Sequence, residues 1–105
     1  MELGTVNVGD ILTSALNREY RFFIVVSLTS TGRPRLRELY SRRKREPHEL
    51  HGSVFSFTLD DPPTITDDAP VTAVTEKFDF IRLPRGGSLY KYIPEKSYFF
   101  AERRE

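Results

Sequence analysis

The stretch from Tyr20 to Thr29, YRFFIVVSLT, does most to limit what this chain can become. Phe22, Ile24, Val26 and Leu28 recur at every second position, while Phe23 and Val25 give way to Ser27 and Thr29 on the other side. Strand side chains alternate between faces, so this pattern predicts a β-strand with one face fully buried and the other half covered. A strand with two apolar sides sits inside a sheet, not at its rim.

The flanking sequence supplies its neighbours. Ser30-Thr31-Gly32-Arg33 reads as a tight turn, because Gly supplies the positive φ that many hairpins need. Arg35 to Tyr40 then returns as the antiparallel partner, and Pro34, which has no amide hydrogen, belongs at a strand start or an edge. Ser41 to Gly52 is polar and charged and is expected to be an exposed loop. Val54 to Leu59 is a further strand with Phe55, Phe57 and Leu59 inward and Val54, Ser56 and Thr58 outward. Asp60-Asp61-Pro62-Pro63 stops it, since consecutive prolines cannot extend a ladder.

Val71 to Leu83 has the length of two short strands or one bent strand. Its apolar positions shift from Val71 and Ala73 to Val74, Phe78 and Phe80, which suggests a bulge. Pro84-Arg85-Gly86-Gly87 is the next hairpin turn, followed by strands Leu89 to Ile93 and Tyr98 to Ala101, with a turn at Pro94-Glu95-Lys96 between them. Glu102 to Glu105 reads as a frayed tail. At the other end, Thr5 to Leu12 is expected to be a strand with Val6, Val8 and Leu12 inward, leading to a loop or a helical turn. A short helix capped by Asp10 is the alternative there.

These elements predict an all-β, mainly antiparallel fold in one domain over residues 1–105: a small barrel or strongly bent sheet of six to seven strands, with at most one short helix. With 105 residues, one modest core is feasible, and the absence of cysteine removes disulfides, thiolate metal sites and a cysteine nucleophile together. That composition suits a reducing compartment. The start, MELGTVNVGD, lacks the apolar core of a secretory signal, and the apolar run Phe22 to Val26 is too short to span a bilayer. A cytoplasmic location, with no membrane contact, is the expectation.

The order Val8-Gly9-Asp10-Ile11-Leu12, Tyr20-Arg21-Phe22-Phe23-Ile24-Val25-Val26 and Leu36-Arg37-Glu38-Leu39 resembles a group of small uncharacterised proteins of phages, large DNA viruses and mobile elements. The resemblance covers about the first forty residues and implies a Src-homology-3-like topology, a viral or mobile-element origin, and a setting in host cytoplasm or nucleus. Where that group carries an aromatic loop after its first strand, Thr13 to Arg18 here has no aromatic residue. The resemblance transfers no active site.

Chemistry-bearing motifs are sparse. His48-Glu49-Leu50-His51 has two histidines three apart, not the four that place both on one ion from a helix, and it lacks a third ligand. Asp60, Asp61, Asp67 and Asp68 lack the alternation, central Gly and distal Glu of a calcium loop, and turn chemistry accounts for Asp beside Pro. No nucleophile elbow, phosphate loop or dinucleotide fingerprint occurs. The sequence thus predicts no catalytic residues, no cofactor and no metal.

Charge is the informative feature. The total is +1, but Arg33, Arg35, Arg37, Arg42, Arg43, Lys44 and Arg45 crowd together, opposed only by Glu38. Such a ridge suits phosphate oxygens, which guanidinium forks match, and Tyr40, Tyr90 and Tyr92 offer stacking surfaces for unpaired bases. The plain alternatives are a solvated edge, charged to prevent aggregation, and, in a nuclear setting, a localisation signal. A non-enzymatic module that binds nucleic acid is the leading expectation. The other is a protein-binding effector, inhibitor or homo-oligomer, because interfaces favour Tyr, Phe and Arg.

Overall fold

The computed structural model describes residues 6–17, 19–48, 52–75, 81–94 and 98–101. Every regular element in them is a strand and every ladder is antiparallel. The strands are β1 (Ile11–Leu16), β2 (Glu19–Leu28), β3 (Pro34–Leu39), β4 (Ser41–His48), β5 (Gly52–Leu59), β6 (Val71–Thr72), β7 (Val74–Thr75), β8 (Ile81–Arg82), β9 (Leu89–Lys91) and β10 (Tyr98–Ala101). They form a five-stranded sheet in the order β6-β3-β2-β1-β9, a three-stranded sheet β10-β5-β4, and the pair β7-β8. The all-β, antiparallel prediction holds, as a small domain of bent and layered sheets.

β2 is the middle strand of the largest sheet, as its sequence requires. Its register pairs Phe22 with Leu39 and Thr13, and Phe23 with Glu38 and Leu12. Phe23, Val25, Leu12, Leu36 and Leu89 pack with Val6, Ala73, Ile81 and Leu83 in one apolar cluster. On the opposite face Phe22 and Leu39 pack with Phe57 and Tyr98 of the small sheet, joined by Ile11, Tyr20, Ile24, Phe55, Leu59 and Tyr92. Aromatic rings meet edge-on in this second cluster: Tyr98 lies 5.4 Å from Phe22 and 5.2 Å from Tyr20, and Phe57 lies 5.5 Å from Tyr20. Such pairs add about 0.5–1.5 kcal/mol each beyond the area they bury.

The two faces of β2 differ from the sequence prediction. The Phe23 and Val25 side is fully buried, whereas on the other side Val26 is 38% exposed and Leu28 43%. A register shift between Val25 and Ser27 is the reason. Phe22 stands opposite Leu39 but Leu28 stands opposite Pro34, and those two partners point to opposite sides of β3. The uniform face drawn from Phe22 to Leu28 is therefore broken in the middle.

The turn at Gly32 is as predicted: Gly32 has φ +82, Thr29 N–H donates to the Arg33 carbonyl, and Pro34 opens β3. The first element is displaced. Residues 6–10 form a turn, not a strand, because Gly9 adopts φ +95 and the Asp10 carboxylate accepts the Asn7 amide at 2.8 Å. Val6 is buried and Val8 is exposed, and the strand begins only at Ile11. It ends with Leu16 opposite Glu19, where Asn17 takes φ +54, one of the few side chains that tolerate that region. Val54, expected outward, is buried because β5 is the central strand of its sheet and Val54 is flanked by Glu46 and Ala101 positions. β5 ends at Leu59 before the predicted stop, and the Asp61–Pro62 peptide is cis. Val71 to Leu83 is broken into β6, β7 and β8; the expected contributions of Phe78 and Phe80, the turn at Glu95 and Lys96, and the 102–105 tail lie outside the described residues.

Candidate nucleic-acid interface

The segment expected to be a loop, Ser41 to Gly52, is the largest correction. Ser41–His48 is a strand, β4, paired residue for residue with β5 from Ser41 opposite Leu59 to His48 opposite Gly52. Its sequence, SRRKREPH, carries no hydrophobic period, so the strand is held by its backbone ladder and not by burial: residues 41–47 are all exposed. β4 lies at the rim of its sheet, where charged side chains and a proline such as Pro47 are tolerated.

Strand alternation sorts the four cations into two pairs. Arg43 and Arg45 stand opposite Phe57 and Phe55, and both guanidinium groups lie over the Phe55 ring, at 5.1 and 6.0 Å from its centre. Arg42 and Lys44 share the other side, where Arg42 Nε donates to Asp60 at 2.8 Å and Lys44 reaches Glu46 at 3.2 Å. These ion pairs are open to solvent, the kind worth under about 1 kcal/mol and readily exchanged. Successive residues on one side of a strand are about 6.8 Å apart. Two positive charges therefore share one aromatic ring, with two more on the reverse.

The three earlier arginines are placed differently. Arg33 belongs to the turn, not to a strand face, because its backbone closes the loop through Thr29. Arg35 and Arg37 do share a side of β3, but only Arg35 is exposed. Arg37 is half-buried and donates through Nη2 to the Thr66 carbonyl at 3.1 Å, so it ties the 60–70 connection to the sheet. Glu38, the one acid in the segment, holds Arg21 through two hydrogen bonds of 2.8 and 2.9 Å.

The tyrosines do not form one stacking platform. Tyr40, 47% exposed, lies between β3 and β4 beside the basic strand, and Tyr90, 56% exposed, sits on β9 at the far rim of the five-stranded sheet. That is three strand spacings from β3, about 14 Å. Tyr92 stacks on Tyr98 at 5.6 Å and meets Phe22 edge-on at 5.7 Å; its ring is part of the second cluster. Phe55 is the aromatic ring that sequence reasoning missed at this site. The signal for it was the Arg45–Phe55 register, which becomes legible only once 41–48 is known to be a strand.

Among the described residues no three His, Cys, Asp or Glu side chains gather as for a metal ion. His51 lies outside those residues, so the HELH motif has no described geometry. No helix among them is long and apolar enough to cross a membrane. Compared with known proteins, the sequence matches no family model, no curated protein and no solved structure.

Proposed function

We propose that this chain is a non-enzymatic nucleic-acid-binding module, an accessory protein of a phage or virus, that engages phosphates through the β4–β5 ribbon in host cytoplasm or nucleus. The observation that carries this reading is the placement of Arg42, Arg43, Lys44 and Arg45 on the exposed 41–47 stretch of a rim strand, with two guanidinium groups over Phe55. β4 is the rim strand of its three-stranded sheet, and its regular spacing presents cations along a phosphate line. Arg35 and Arg33 extend the positive field, and Tyr40 adds one exposed ring. Asp60 pairs with Arg42 and Glu46 with Lys44 at rest, and phosphate oxygens take their place on binding.

The test is anisotropy of a labelled duplex over a salt series. Four phosphate contacts give a slope of log affinity on log salt of about −3.6, at about −0.9 per contact. Replacing Arg42, Arg43, Lys44 and Arg45 by Ala removes most of that slope. Salt-insensitive binding, or none at low salt, refutes the reading.

A second reading rests on one specific observation: β4 is an eight-residue strand with no neighbour on its outer side among the described residues. Such an open ladder is a template for an added strand from a partner protein or a second copy. A mass that rises with concentration in light scattering, or a partner that co-purifies after nuclease treatment, supports it in place of nucleic acid.

A further inference from the structure

On the side of the main sheet turned away from the ribbon, an open trough of about 340 Å³ is lined by Leu16, Arg21, Phe23, Val71, Leu83, Pro84, Arg85 and Gly86. Its size falls within the range of small-molecule sites. The walls are apolar apart from two guanidinium groups, and these two are not equivalent. Arg21 is committed: Nε and Nη2 hold the Glu38 carboxylate, and its flat face lies 5.2 Å above the centre of the Phe23 ring. It serves as part of the floor. Arg85, in the Pro84–Gly87 turn, is exposed and has no carboxylate partner among the described residues.

We infer that this trough is a binding site for a small alkyl carboxylate, its apolar tail against Leu16, Val71 and Pro84 and its head on Arg85. The charge decides the class. An unpaired guanidinium at the lip selects an anion, and its fork matches the two oxygens of a carboxylate. The apolar walls reject a fully hydrated anion such as free phosphate, because burying an unpaired charge against them is costly. A neutral chain of the same length gains the walls but not the head contact. The site is independent of the ribbon, since it uses none of the β4 cations.

Octanoate and octan-1-ol are titrated separately into isotope-labelled protein, and backbone amide shifts are followed by NMR. The expected result is that octanoate shifts are confined to the trough residues and that octanoate binds on the order of tenfold more tightly than octan-1-ol, the worth of one charge-assisted contact. Arg85→Gln, at an exposed position, brings octanoate down to the level of the alcohol. Val71→Trp fills the trough and abolishes both, with the unshifted remainder of the spectrum reporting an intact fold. Duplex affinity is unchanged by octanoate, which separates failure here from failure of the ribbon reading. Equal affinity for acid and alcohol, shifts centred elsewhere, no response in the millimolar range, or tighter capture of a peptide ending in a free leucine carboxylate overturns the inference.

Discussion

Gly86 and Gly87 have nearly the same backbone conformation, φ +103 and +96, yet an added methyl group meets different surroundings at each. At Gly86 a Cβ would touch only Leu16 Cδ2, at an ordinary 4.0 Å; at Gly87 it would fall 2.5 Å from Ser14 Oγ. Gly86→Ala therefore reports the cost of positive φ alone, about 1–2 kcal/mol. Gly87→Ala carries the same cost plus the collision, and Ser14 is fully buried with little room to turn aside, so overpacking adds about 1–3 kcal/mol. Ser14 Oγ also has no hydrogen-bond partner, so Ser14→Ala removes a buried unpaired hydroxyl and is neutral or stabilising on its own. In that background Gly87→Ala falls to the cost of Gly86→Ala, a coupling of about 1–3 kcal/mol. Urea unfolding followed by far-ultraviolet circular dichroism measures all four variants, with a constant m-value as the check on two-state behaviour. If Gly87→Ala costs no more than Gly86→Ala, or costs the same with and without the Ser14 hydroxyl, the packing of the turn on β1 is wrong.

Two further outcomes are expected. Phe22→Ala opens the second cluster and costs about 3–5 kcal/mol, whereas Val26→Ala, four residues along the same strand and at the register shift, costs under about 1 kcal/mol; similar losses at both in urea unfolding would contradict the broken face. Tyr20 is held above its ordinary value of 10.0, first by burial and second by the neighbouring Tyr98. The native state thus keeps a proton that the unfolded chain releases near pH 10, so this share of stability is whole below pH 10 and is lost as pH rises through the raised value. Tyr20→Phe flattens the fall in stability above pH 10, and parallel curves for the two proteins would refute it.

What was legible in the sequence follows the side chains that are buried. The alternation of β2 placed it at the centre of a sheet, Gly32 and Pro34 fixed its hairpin with β3, and Phe55, Phe57 and Leu59 fixed the inner side of β5. The Gly86-Gly87 turn and the bounds of β10 were equally clear. β4 was not, because a rim strand exposed from residue 41 to 47 has no period to read; only the ladder with β5 makes it a strand. The start of β1 was misjudged because Val6 and Leu12 are both buried, which resembles one continuous strand although the turn at Gly9 separates them. For the candidate site, the sequence located the cations but not their division between Phe55 and the carboxylates. The trough was invisible, since Leu16, Val71 and Arg85 are brought together by three separate connections.

β2 carries Phe22 into one apolar cluster and Phe23 into the other, like a party wall between two rooms. Neither room can be emptied without leaving the wall bare on one side, so the chain has no half-built shelter in which one sheet survives the loss of its neighbour. Its amides from Phe22 to Val25 should be the last to trade hydrogen for deuterium, and at a common pace.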